Sequence, residues 1–229
     1  MLPFFEKVKG GLIVSCQSEE PDPFNTPEYV SLFAKAAEMG GAAGIRSQGI
    51  EKTKSIVESV KLPVIGLLKT KFPDGLVCIT GSFRAVEDLI ETGCDIIAID
   101  GTFRMREGSY RGPEFIEEVK KRYNFPIMAD ISTFEDGKAC LNSGADCLST
   151  TLSGYTPETQ HLPHDRPDVE LLQSLVSVSS IPVIAEGRVN SPEWANVMIR
   201  SGAWAVVVGT AITRPRIVTG WYVDAIKNG

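Results

Sequence analysis

Two ionisable side chains stand at the ends of apolar runs, where a charge is costly unless it is paired or used: Lys69 directly after PVIGLL, and Glu186 inside PVIAEG. Moving a proton beside a carbonyl needs a base on one face of the carbon, an acid on the other, and a positive group for the developing enediolate oxygen. Lys69, Glu186 and Arg46, which closes the run AAGIR, are the residue types for those three tasks. A desolvated lysine also forms Schiff bases with sugar carbonyls, so an aldolase or other lyase is the rival chemistry.

Two glycine turns add an anion to this picture. Gly187-Arg188 follows the seventh apolar run, and Gly209-Thr210-Ala211 follows the eighth and leads toward Arg214. Glycine lets backbone N–H groups approach an anion, and arginine offers forked donors, the pattern of a phosphate site in barrel enzymes. A barrel that binds a sugar phosphate without catalysis is the rival from outside the enzymes. Gln17, Asp100, Asp130, Thr150 and Thr151 stand at or near the ends of the other runs. The sequence has no GxGxxG fingerprint, no HxH and no CxxC, so the expectation is chemistry without cofactor or metal. His161 and His164 fall in a Pro-rich stretch and read as solvated loop residues.

The elements that must position these groups recur along the chain. Eight short, continuously apolar runs occupy 11–16, 42–46, 63–68, 95–100, 126–131, 147–151, 182–187 and 205–210. Continuous apolarity means burial on both faces, as in parallel sheets covered by helices. Helical patterns lie between the runs, several opening at Ser or Thr and closing at Gly. Eight such units predict a closed parallel (β/α)8 TIM barrel whose strand ends share one mouth, with Lys69 and Glu186 facing each other from strands three and seven. The Pro-Asp-Gly turn in 69–80 reads as a hairpin over that mouth, and 153–168, after strand six, as a cover.

The 229 residues fit one barrel domain spanning 1–229. With 43% hydrophobic and 23% charged residues, the composition is that of an ordinary soluble protein, and a formal charge of −6 argues against nucleic acid and acidic membranes as partners. Five cysteines, odd in number and set in apolar runs, read as reduced core thiols. With no signal-like leader and no membrane-length apolar stretch, the expected location is cytoplasmic. Trp194, Trp204 and Trp221 read as helix packing or an interface, in keeping with a homodimer.

The segments LIVSCQ, GIRSQG, PVIGLLK, MADIST, STTLSGYTP, PVIAEGRVNSPE and VVVGTAITRP, in this order, resemble the N-acylglucosamine-6-phosphate 2-epimerases from about residue 10 to the C-terminus. The resemblance implies a (β/α)8 barrel without a redox cofactor that interconverts N-acetylmannosamine 6-phosphate and N-acetylglucosamine 6-phosphate in bacterial sialic acid breakdown. It implies that Lys69 and Glu186 exchange the C2 proton after the sugar ring opens. By the same likeness Gln17, Arg46 and Asp130 serve the sugar or the intermediate, while Gly187, Arg188, Gly209 and Arg214 surround the phosphate; Thr150 and Thr210, from their places at the run ends, are expected to bind substrate beside them. Departures are Thr70 and Phe72, where the family often has Arg and Tyr, and Gly101, where it often has Ala.

Overall fold

The computed structural model describes residues 2–228. Its strands, in chain order, are β1 (Leu12–Cys16), β2 (Gly44–Gln48), β3 (Val64–Leu67), the short pair β4 (Lys69–Lys71) and β5 (Val77–Ile79), then β6 (Ile96–Asp100), β7 (Ile127–Asp130), β8 (Cys147–Ser149), β9 (Val183–Glu186) and β10 (Val206–Val208). All but β4 and β5 are parallel and close into one eight-stranded barrel, β10 returning to β1 through the Leu12 and Val206 register. The expected (β/α)8 barrel is the fold. β4 and β5 form the antiparallel hairpin expected from Pro-Asp-Gly, with Lys69 opposite Ile79 at its base.

The helices are α1 (Pro3–Val8), α2 (Pro27–Met39), α3 (Ile50–Ser59), α4 (Phe83–Glu91), α5 (Gly112–Tyr123), α6 (Phe134–Asn142), α7 (Val169–Val178), α8 (Pro192–Arg200), α9 (Thr210–Thr213) and α10 (Pro215–Asn228). Hydroxyl caps fix where several of them begin: Thr26, Ser82, Thr133 and Ser191 each accept a hydrogen bond from a first-turn N–H. Asp168 does the same for α7, so the loop that precedes it ends at a defined point.

Side chains fill the barrel interior rather than leaving a pore. Ile13, Ile65, Leu67, Ile96, Ala98, Met128, Cys147, Ile184, Ala205 and Val207 pack there. The end away from the mouth is closed by α1, whose Phe4, Phe5 and Val8 join this interior cluster, while Trp204 Nε1 donates to the Phe5 carbonyl at 2.8 Å. Nothing in the pattern of the first ten residues marks them as this plug. All five cysteines are free and buried. Among the described residues no helix is long and apolar enough to cross a membrane.

Strand boundaries differ from expectation where function concentrates. The run read as a strand over 147–151 stops at Ser149, and Thr150–Leu152 forms a single 3-10 turn. Ending the strand early turns the Thr150 and Thr151 hydroxyls toward β9 instead of alternating them across the sheet. Because α1 completes the interior from outside the repeating units, Phe5→Ala should lower the free energy of unfolding in urea by about 3–5 kcal/mol, the usual cost of deleting a buried ring. An unchanged midpoint would show that the plug is not part of the core.

Candidate active site

The strand ends converge on a cavity of about 490 Å³, a size typical of a small-ligand site. In barrel order β3 and β9 stand four places apart of eight, so Lys69, which follows β3, and Glu186, which ends β9, enter the cavity from opposite walls. Both positions are fixed locally. Leu68 N donates to Thr80 Oγ1 at 3.1 Å, which ties the base of the hairpin beside Lys69. Thr150 Oγ1 accepts from Glu186 N at 3.0 Å and donates to Glu186 O at 2.8 Å, which fixes the end of β9.

Behind Glu186 lies a buried charge cluster. Arg46 is 1% exposed and grips Asp130 through two bonds, Nη1 to Oδ1 at 3.1 Å and Nη2 to Oδ2 at 2.6 Å. Its Nη1 also stands 3.1 Å from Glu186 Oε2. One guanidinium thus faces two carboxylates, and Thr151 joins the same pair: its Oγ1 is 2.7 Å from Asp130 Oδ1 and 3.1 Å from Glu186 Oε2. Burial pushes Glu186 up to about 7 and the Asp130 carboxylate pushes in the same direction, against Arg46, Thr151 and Lys69. Burial thus brings a carboxyl on the cavity wall into the range where such a group can both take and return a proton near neutral pH.

The expected site residues separate into two layers. Gln17, Lys69, Glu186, Gly187, Arg188, Gly209, Thr210 and Arg214 line the cavity. Arg46, Asp130 and Thr150 are buried beneath it and reach the cavity through Glu186. Gln17 Nε2 is held by Ser15 Oγ at 2.6 Å. Arg188, at φ +56°, donates from Nε to Arg166 O at 2.9 Å and from Nη1 to Ser153 O at 2.8 Å, so it straps the loop after β8 while forming part of the wall. That loop packs so closely on the strap that a Cβ on Gly154 would fall 1.5 Å from Arg188 Nη1.

The sequence reading leaves several lining residues unassigned, among them Ser15, Glu19, Tyr155 and Asn190, together with Leu76, Val77 and Ile79 from the hairpin. The hairpin was anticipated from its turn and Tyr155 lies in the anticipated cover, but neither signal identifies which side chain turns inward. His161 and His164 are exposed on the same loop and do not line the cavity. Among the described residues no group of three His, Cys, Asp or Glu side chains is arranged to hold a metal ion.

Fold and site together define a (β/α)8 barrel with an opposed lysine and glutamate at its mouth and glycine turns with an arginine at one side. Residues 30–228 match the family model described as "Putative N-acetylmannosamine-6-phosphate epimerase", and the chain belongs to that family. The chain is 43% identical over 227 residues to a "Putative N-acetylmannosamine-6-phosphate 2-epimerase" of Caldanaerobacter subterraneus subsp. tengcongensis, covering 99% of this chain and 95% of the relative. A protein of the same description from Clostridioides difficile is 44% identical over 97% of this chain and 98% of its own length. The solved N-acetylmannosamine-6-phosphate 2-epimerase from Clostridium perfringens superposes with a TM-score of 0.90 at 40% identity, covering 98% of this chain and 96% of that one.

Thr151 offers one hydroxyl proton to two carboxylates, and a bond from it stabilises the ionised form of Glu186. Thr151→Val should therefore move the Glu186 titration midpoint, read by 13C NMR of its carboxyl carbon, up by about one pH unit, the size expected for losing one hydrogen bond to a charged group. Thr151→Ser should restore it. A midpoint that stays in place in the valine variant would remove Thr151 from control of Glu186.

Proposed function

We infer that this chain is an epimerase that interconverts N-acetylmannosamine 6-phosphate and N-acetylglucosamine 6-phosphate at C2. The observation that carries this reading is the pair Lys69 and Glu186, set on opposite walls of one cavity in a chain of the epimerase family. Inversion at carbon needs a proton carrier on each face, and a lysine set opposite a glutamate that burial raises to about 7 is suited to that exchange.

The C2 proton becomes acidic only beside a carbonyl, so the substrate reacts in its open-chain aldehyde form. One of the pair removes the proton to leave an enediolate, and the other delivers a proton to the opposite face. Arg46 acts from behind Glu186, where its charge moderates the negative field of two adjacent carboxylates. Gln17, its amide held by Ser15, is placed to bind a sugar oxygen. The phosphate is assigned to Arg214 with the backbone of Gly187, Gly209 and Thr210, and Arg188 contributes chiefly by fixing the loop that borders them.

The reading extends to use in sialic acid and amino sugar breakdown, and to the cytoplasm, which suits five free thiols. It also includes a homodimer. α10 has no buried residue, and it leaves Tyr222 70%, Val223 40% and Ile226 80% exposed on one side, an apolar helix face of the kind that a second copy covers.

Lys69→Ala and Glu186→Ala should each lower kcat by about 10²–10⁴-fold, the range for loss of a general acid or base, with circular dichroism unchanged. Full turnover in either variant would end the two-carrier assignment. Arg214→Ala should chiefly raise KM, because a phosphate contact remote from C2 is shared by ground and transition states. The direction in which Glu186 takes the proton should gain rate as pH rises through about 7. Light scattering should give twice the chain mass, reduced to one by Ile226→Glu; a monomeric parent protein would rule the dimer out.

A further inference from the structure

The carboxylate of Glu19 stands in the mouth between the two cations to which the proposed reaction assigns separate tasks. Lys69 Nζ donates to Glu19 Oε1, and Arg214 Nη2 lies 3.3 Å from that same oxygen. Glu186 is the other acidic side chain of the cavity wall among the described residues, and it faces Arg46. A single carboxylate therefore neutralises Lys69 and Arg214 together. Burial raises the Glu19 pKa, but Lys69 and Arg214 more than offset it, and the carboxyl sits below its ordinary range as an anion.

The loop that carries Glu19 is fastened on both sides. Lys52 Nζ donates to Ser18 O at 3.0 Å and to Asn25 Oδ1, and Asp22 pairs with Arg216 at the start of α10. With the backbone tied down, the part free to move is the Glu19 side chain, which is 41% exposed. Its position is thus built into the mouth and yet open to exchange.

A sugar phosphate brings a second anion to Arg214. A carboxylate and a phosphate dianion on one guanidinium repel each other, as Asp130 and Glu186 do across Arg46, and Glu19, unlike that buried pair, is exposed enough to leave. Because the same oxygen holds Lys69, that displacement also releases the lysine. We propose that Glu19 is an internal competitor for phosphate, occupying the anion position beside Arg214 and yielding Arg214 and Lys69 only to a phosphorylated ligand. Glu19 then holds the reactive lysine back from a ligand that brings no anion: an unphosphorylated sugar of the same shape meets a lysine still engaged by Glu19. The identity of the sugar rests on the epimerase reading, whereas the competition with phosphate can be measured without turnover.

The test is calorimetric titration of the full-length chain with inorganic phosphate, comparing wild type, Glu19→Gln and Arg214→Ala. Glutamine keeps the shape of the side chain and removes its charge. It should tighten phosphate binding by about three- to tenfold, in the range expected for losing an ionic contact at a partly exposed site, while Arg214→Ala weakens it. Damage to the loop would weaken phosphate binding, so a gain in affinity separates competition from a structural role. Glu19→Gln should also raise kcat/KM for unphosphorylated N-acetylmannosamine by a similar factor, because Lys69 is then released without a phosphate. Phosphate affinity that is unchanged or weaker in Glu19→Gln, with Arg214→Ala still weakened, would overturn the proposal and leave the epimerase reading standing. Affinity indifferent to Arg214→Ala would overturn the anion site and the proposal with it. Tighter phosphate binding in a protein that turns over neither sugar would support the competition and count against the epimerase reading.

Discussion

Arg46 is the charge on which the mouth of the barrel depends. It is buried beneath the cavity between Asp130 and Glu186, on strands that face one another across the interior only because the sheet closes. A guanidinium in that position is tolerable only with its partners, and removing one member of such a group costs about 3–5 kcal/mol by leaving an uncompensated charge. The reverse dependence matters as much. Without Arg46, two carboxylates would face each other across Thr151, and Glu186 would be driven further from ionisation. Together with burial, the cluster therefore sets the protonation of the carboxylate that faces Lys69 across the cavity.

The rest of the molecule holds this arrangement still. The plug α1 and the packed interior brace the far end of the strands, and the hairpin and the loop after β8 border the mouth. These borders are tied by hydrogen bonds rather than left free. Thr80 anchors the hairpin, Arg188 straps two carbonyls of the loop, and Ser132, Thr156 and Thr159 form a hydroxyl cluster beneath it. Preorganisation of this kind places donors and charges before the substrate arrives, which is where electrostatic catalysis gains most.

Much of this was legible in the sequence because it follows from local patterns. The eight strands are continuous apolar runs, their number implies closure, and closure puts the run ends at one mouth. Lys69 and Glu186 stood out because ionisable residues end those runs. What was not legible depends on depth and on tertiary pairing. A strand-end position says that Arg46 and Asp130 lie near the mouth, but not that they sit below Glu186 instead of beside the ligand. Arg188 reads as an anion ligand from its glycine neighbour, and its bonds to Ser153 and Arg166 come from a loop distant in the chain. Thr151 looked like one more strand residue until the strand ended two positions early. Glu19, in a polar loop rich in acidic residues, carries no local signal of its contacts, and α1 is too short for periodicity to show that it closes the barrel.

The central claim is that Lys69 and Glu186 exchange a proton at one carbon. The most direct measurement is proton NMR of the protein with N-acetylmannosamine 6-phosphate in D2O. The account predicts conversion to N-acetylglucosamine 6-phosphate with deuterium at C2. Conversion that retains the original proton at C2, or no conversion and no exchange, would contradict it.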